Sequence, residues 1–248
     1  MISLFTGKIG SGKTLRAVGE IVKHLAKGGF VYTNIELIFL EVQRLCRVRH
    51  RVVIQPEQLR SLAIEDVSRW HESIEWGVPG HPVLIVLDEI HLFFNSRDWA
   101  KTQALHKDML SFLSQSRKAC VDVVFICQAA STLEKQFRVQ SEWEFYCRNV
   151  KDIRVPFLGT VPMNMMLCVK KDVENDKAVD RTFSSYDKAL FPLYDTRAFL
   201  DQQMREAAEG AQRLAPLKLE RVPLIPRRVV WSFFVALLLV LGWLFIPR

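Results

Sequence analysis

Residues Gly7 to Thr14 read GKIGSGKT and fill every fixed position of the pattern GxxxxGK[ST]. The glycines at 7, 10 and 12 carry no Cβ, so the backbone N–H groups between them can curl around phosphate oxygens. All eight residues belong to this phosphate-binding loop (P-loop): Gly7, Lys8, Ile9, Gly10, Ser11, Gly12, Lys13 and Thr14. Lys13 is spaced to reach the β- and γ-phosphates of a nucleotide, and Thr14 to hold Mg2+ through its hydroxyl. A second run, Val83 to Glu89 (VLIVLDE), ends five apolar residues with two adjacent carboxylates. On a strand beside the one that leads into the loop, Asp88 would join the Mg2+ shell. Glu89 would polarise an attacking water as general base. An Asp-Glu pair at a strand end is by itself a common, solvated feature. Combined with a complete P-loop, it predicts binding and hydrolysis of ATP with Mg2+.

Further residues fit this chemistry or a plainer role. Gln128 ends the apolar run Val121 to Cys127, and parallel sheets bind ligands at the carboxyl ends of their strands. There it suits a γ-phosphate sensor or a water-orienting group, and equally an ordinary loop amide. Arg117 ends the helical segment before that run. It suits an arginine finger that reaches a neighbouring subunit's nucleotide, or a cation set against a helix dipole. Lys8 is a second lysine inside the loop, either in contact with phosphate charge or simply exposed. His91 has no companion ligands, and Met163 to Met166 (MNMM) reads as apolar packing.

Such residues need a scaffold that sets strand ends side by side. Ile2 to Phe5 is a short apolar strand leading into the loop. Lys13 to Lys27 reads as a helix with Val18, Ile21, Val22 and Leu25 on one face, stopped by Gly28-Gly29. Phe30 to Thr33, Val83 to Leu87 and Val121 to Cys127 read as further strands. The unbroken VLIVL run predicts burial on both faces. Leu105, Met109, Phe112 and Leu113 share one face of another helix. From Glu144 to Lys171 the pattern changes to strands separated by Pro156, Gly159 and Pro162, as in a hairpin. Thr196 to Arg213 reads as a final amphipathic helix. The alternation of strands and helices predicts an α/β fold: a P-loop NTPase with a mostly parallel sheet, covered on both sides.

The end of the chain differs in kind. Val229 to Ile246 (VVWSFFVALLLVLGWLFI) is eighteen residues without a charge, which as a helix would span roughly 27 Å. Trp231 and Trp243 lie near its two ends, where interfacial indoles belong. Lys218, Arg221, Arg227 and Arg228 precede it and only Arg248 follows, which keeps the N-terminal side in the cytoplasm. Three prolines in Leu214 to Arg228 exclude a helix there. The expected division is a cytosolic ATPase domain over 1–213, a proline-containing linker over 214–228 and a transmembrane helix over 229–246.

Composition bounds these readings. The 248 residues are 49% hydrophobic, enough for a sizeable core, which excludes wholesale disorder. A net charge of +7 suits anionic lipid or nucleic acid, and equally basic residues placed beside a membrane span. The cysteines at 46, 120, 127, 147 and 168 are odd in number and lack CxxC spacing, so neither a disulfide framework nor a zinc site is implied. Met1 to Thr6 has no basic stretch of the kind that opens a signal peptide.

Five segments, in order and spacing, resemble the zonular occludens toxin-like (Zot) family, whose members include assembly ATPases of filamentous bacteriophages. They are TGKIGSGKT at Thr6 to Thr14, VYTNI at Val31 to Ile35, LIVLDEIH at Leu84 to His91, DVVFICQ at Asp122 to Gln128, and LFPLYDTR at Leu190 to Arg197. The family is similar in turn to HerA/FtsK-type motor ATPases, in which an arginine shortly before the last motif strand works in trans. SRKACVDVVFICQ, from Ser116 to Gln128, matches that layout at Arg117. Lys8 is similar to the extra lysine of MinD-like ATPases, which the rest of the chain does not resemble. The resemblance implies a cytosolic ATPase anchored in the host bacterial inner membrane, and an arginine finger in trans needs a neighbour, which predicts a homo-oligomeric ring. Such a ring would extrude phage single-stranded DNA while coat proteins are added. Family assembly proteins continue past the span into a segment that meets an outer-membrane exit channel. This sequence reads only two residues past Ile246, so its link to such a channel stays open, and no toxin activity carries over. Two other functions stay open: a DNA-translocating coupling ATPase, and a nucleotide-gated membrane scaffold that does not hydrolyse. The position of the apolar span argues against the first, and Lys13, Asp88 and Glu89 argue against the second.

Overall fold

The structure is a computed structural model that describes residues 1–62, 74–95, 107, 109–155 and 159–194. Its strands are β1 (Ile2–Thr6), β2 (Phe30–Thr33), β3 (Leu59–Ser61), β4 (Val83–Leu87), β5 (Val121–Ile126), β6 (Trp143–Val155), β7 (Gly159–Asp172) and β8 (Lys177–Ser185). They form one sheet in the order β3-β2-β4-β5-β1-β6-β7-β8. From β3 to β6 every neighbouring pair is parallel. The β6–β7 and β7–β8 pairs are antiparallel. The mostly parallel sheet expected from the sequence is present, extended on one side by a three-stranded meander.

The central strands are apolar at successive positions because both faces are covered. Ile85 and Leu87 of β4 join one core with Leu4, Val123 and Phe125. Leu84 and Val86 join the other with Phe5, Val124 and Ile126. Helix α1 (Lys13–Ala26) lays Val18, Ile21, Val22 and Leu25 on the second core. Helix α2 (Phe39–His50) buries only Val42 and Cys46 in it, with Phe39 and Leu45 packed half-buried alongside. The first core is closed by Met109, Phe112 and Leu113 of α3 (109–115) and by Phe137 of α4 (Lys135–Val139). Phe94 and Phe137 rings lie 4.6 Å apart there.

Two details differ from expectation. The acidic strand β4 does not flank β1, because β5 lies between them. Pro162 does not separate strands: it falls inside β7, opposite Asp152, where the β6–β7 register shifts between Val150 and Asp152. A proline cannot donate to the ladder, and such an irregularity is where a sheet tolerates one.

The chain divides into two compact units, Met1–Phe199 and Leu200–Arg248, and the sheet belongs to the first. Leu105, the expected helix from Thr196 to Arg213, the linker and the apolar run Val229 to Ile246 lie outside the described residues. Among the described residues no helix is long and apolar enough to cross a membrane.

Candidate functional site

The loop at residues 7–14 leaves the carboxyl end of β1 and runs into α1. Gly7 has a φ of 140°, and a Cβ there would lie 2.1 Å from the Cys147 carbonyl oxygen of β6. Gly12, at φ 91°, would drive a Cβ to 2.8 Å from Met166 Sδ and 2.9 Å from the Tyr186 ring. Glycine at both positions is required by backbone angle and by space. The loop is tied to the strands around it. Gly7 N–H donates to the Gln128 carbonyl at 3.2 Å, and Asn149 Nδ2 donates to the Gly10 carbonyl at 3.3 Å.

The first turn of α1 contains no acidic residue, so the partial positive charge of its free N–H groups is left for an external anion. Lys13 is buried, and its ammonium donates to the Gly7 carbonyl at 2.8 Å and the Lys8 carbonyl at 3.2 Å. Thr14 Oγ1 donates to Asp88 Oδ2 at 2.8 Å. The carboxylate after β4 thereby meets the hydroxyl at the head of α1, although β5 separates the two strands.

Asp88 is 5% exposed. Burial pushes its carboxyl up to about 6, against hydrogen bonds from the Thr14 hydroxyl and the Glu89 N–H that pull it down. Its main chain is gripped on both sides by one residue. Asp88 N–H donates to Asn34 Oδ1 at 2.7 Å, and Asn34 Nδ2 donates to the Asp88 carbonyl at 2.9 Å. A carboxylate stripped of water beside a hydroxyl is a pair of hard oxygen donors. That suits Mg2+, which takes one or two protein oxygens and completes its shell with phosphate and water. Among the described residues, no group of three or more His, Cys, Asp or Glu could hold a metal ion by itself.

Glu89 stands in the left-handed region at φ 49°, which turns the chain sharply after β4. Its Oε2 lies 3.2 Å from His91 Nδ1, yet neither atom finds a hydrogen bond of acceptable geometry, and both are shut off from solvent. Glu89 and Asp88 line a cleft of about 350 Å³ together with the loop, Tyr186, Phe191 and Tyr194. That volume lies in the range of small-molecule sites. Spacing patterns do not single out the three aromatic residues. The LFPLYDTR segment contains two of them, without any sign that they face the loop.

The remaining expected residues are dispersed. Gln128 follows β5 on the same edge, with an exposed side chain, and only its carbonyl is tied to the loop. Lys8 and Ile9 stand exposed at the loop's tip, with Ile9 83% accessible. Arg117 is exposed at the opposite edge of the sheet, ahead of β5. The structure does not bring it to the cleft of its own chain.

The sequence model of the family described as Zonular occludens toxin (Zot) matches residues 1–199. The chain belongs to the Zot family. It is 38% identical over 165 residues to the gene 1 protein of Enterobacteria phage I2-2, covering 64% of this chain and 43% of that protein. To the gene 1 protein of Escherichia phage If1 it is 32% identical over 220 residues, covering 81% and 60%. This Zot-family chain thus spans about half the length of these relatives. Among solved structures, it is similar to the N-terminal domain of zonular occludens toxin from Neisseria meningitidis. The TM-score is 0.50 at 18% identity, covering 78% of this chain and 98% of that one, a likeness of fold.

Proposed function

We propose that this Zot-family protein binds ATP with Mg2+ at residues 7–14, hydrolyses it, and powers filamentous phage assembly at the host inner membrane. The observation that carries the reading is the 2.8 Å bond from Thr14 to Asp88. It joins the head of a phosphate-binding loop to a buried carboxylate, inside a cleft that also holds Glu89. In this reading the backbone N–H groups of residues 7–14 and the head of α1 bind the triphosphate. Lys13, held over the loop by the Gly7 and Lys8 carbonyls, neutralises the β- and γ-phosphates. Thr14 and Asp88 are the residues that would hold Mg2+, which when bound supplies charge stabilisation to the transferred phosphoryl group. Glu89 accepts a proton from the attacking water. Gln128, beside the loop, orients that water or senses the γ-phosphate.

The phage setting is supported by the gene 1 relatives, which belong to phages. The partners in this reading are phage coat proteins and the phage single-stranded DNA complex. A homo-oligomeric ring would handle them, anchored by residues 229–246, with or without contact to an outer-membrane exit channel. The test is made in the full chain in detergent and in infected cells. Wild type is expected to show Mg2+-dependent ATP turnover. Lys13→Ala is expected to lose triphosphate binding, and Glu89→Gln to keep binding while turnover and phage release fall at least 100-fold. Phage release by Glu89→Gln at the wild-type level would sink the motor reading.

A further inference from the structure

The cleft has a second end, which neither the loop nor the acidic pair explains. After β8 the chain forms a strap, Tyr186 to Tyr194, around a short 3-10 segment (Lys188–Leu193). Many ties fasten it. Arg49 of α2 meets Asp187 with both guanidinium nitrogens, a fork-to-fork pair that fixes orientation. Ile38 N–H donates to the Leu193 carbonyl at 2.8 Å, and Leu37 and Tyr194 are bridged through their main chains. Leu190 and Leu193 are buried in the core beneath α1 and α2.

Three rings of this strap, Tyr186, Phe191 and Tyr194, line the cleft beside Leu15 and Ile35. Phe191 is 50% exposed, so half of a large apolar ring is left in water on a segment anchored at both ends. Core packing does not account for that placement. We propose that Tyr186, Phe191 and Tyr194 form the nucleobase subsite of the cleft and hold the base by stacking alone, so that adenine and guanine triphosphates are accepted alike.

This inference rests on reading residues 7–14 as a triphosphate site. The loop limits where a base would go, because the cleft that receives the phosphates at residues 10–14 is lined otherwise by Leu15, Ile35, the acidic pair and the three rings. Discrimination between purines by side chains requires polar ones matched to their edges, left unpaired by the wrong base. Among the described residues lining the cleft, the polar side chains Ser11, Lys13, Thr14, Asp88 and Glu89 belong to the loop and the acidic pair. Neither tyrosine hydroxyl supplies the missing readout. Tyr186 packs against Cys147, Met166 and Cys168 with its hydroxyl shut off from solvent. Tyr194 lines the cleft together with Asp88 and Glu89, and burial pushes its hydroxyl up. What remains for the base is aromatic and aliphatic surface, and stacking tolerates any base because each has a π-face.

The experiment compares binding of ATP, GTP and inorganic tripolyphosphate to the full chain in detergent micelles. Variants are Phe191→Ala, Phe191→Trp and Lys13→Ala. A stacked ring is worth roughly tenfold in affinity. Wild type is expected to bind ATP and GTP within about threefold of each other. Phe191→Ala is expected to weaken both about tenfold and leave tripolyphosphate unchanged, and Phe191→Trp to restore both. A preference of about 100-fold or more for one purine, or equal weakening of tripolyphosphate by Phe191→Ala, overturns the subsite. So does ATP binding indifferent to Phe191→Ala. Tripolyphosphate binding that survives Lys13→Ala overturns instead the loop assignment on which the subsite rests, so the two failures are distinguishable.

Discussion

Asn34 holds the main chain of Asp88 from both sides, through its amide oxygen and its amide nitrogen. Replacing it with alanine leaves a buried N–H and a buried carbonyl without partners, each worth about 1–3 kcal/mol. Asn34→Ala is therefore expected to lower the unfolding free energy by about 2–6 kcal/mol, read from the urea midpoint, and to reduce Mg2+-dependent turnover as Asp88 loses its register with Thr14. An unchanged midpoint would show that water replaces the amide, and the clamp would lose its importance. Spacing alone does not reveal this role. Asn34 and Asp88 stand 54 positions apart, and only the pairing of β2 with β4 makes them neighbours. The loop at residues 7–14 is legible for the opposite reason: its glycines, its lysine and its threonine act within a single turn of chain. Glu89 and His91 fall between these cases. Both are visible in LIVLDEIH, but their 3.2 Å approach depends on the left-handed φ of Glu89, which no residue type announces.

Elements that carry two-sided or one-sided apolar patterns are legible as well. The sequence places β2 and β4 over the observed residues, and β1, β5 and α1 to within one residue at an end, because Val, Ile and Leu fill the positions that face the two cores. Helix α2 escapes notice because it buries only Val42 and Cys46, too few to mark a face. Strand β8 escapes because it is almost wholly exposed at the sheet's edge. Strand order is also hidden, since the insertion of β5 between β4 and β1 is a contact between distant parts of the chain. The join between the end of α1 and the start of β4 provides a test at this scale. His24 Nε2 meets the Pro82 carbonyl at 3.0 Å, and burial lowers its pKa from the ordinary 6.5. The unfolded chain takes up that proton first, so the contribution to stability is complete above about 6.5 and declines as pH falls through that value. His24→Gln keeps an N–H donor without the titration, and its melting temperature is expected to fall less than that of wild type between pH 7.5 and 5.5. Equal falls would remove His24 from the account. Gly29 faces the same join. A Cβ there would sit 2.3 Å from His24 Nε2 and 2.9 Å from the Pro82 carbonyl oxygen, so Gly29→Ala is expected to cost about 1–3 kcal/mol in urea denaturation.

For the molecule as a whole, the position of Arg117 bears on the proposed ring. Arg117 precedes β5, whereas Gln128 and the loop lie past the carboxyl ends of β5 and β1. The six residues of β5 separate the two edges by roughly 20 Å, more than one side chain can span. Arg117 therefore has no route to the nucleotide of its own chain, and among the described residues it forms no ion pair that would give it a structural role. As an arginine finger it needs a ring in which the amino edge of one subunit's sheet abuts the cleft of the next. Such a ring makes a prediction about mixtures. Glu89→Gln subunits keep Arg117 but lack the base, and Arg117→Ala subunits keep the base but lack the finger. Each alone is expected to turn over ATP at least 100-fold more slowly than wild type. Mixed before assembly, they create junctions in which an intact Arg117 faces an intact Glu89. Random pairing puts roughly a quarter of junctions in that state, so turnover should recover to about a quarter of the wild-type rate if junctions fire independently. Recovery should vanish when either variant also carries the other's substitution. Mixtures no more active than their components, with sizing that shows mixed oligomers, would dismiss Arg117 as a trans-acting group and leave it an exposed cation at the end of α3.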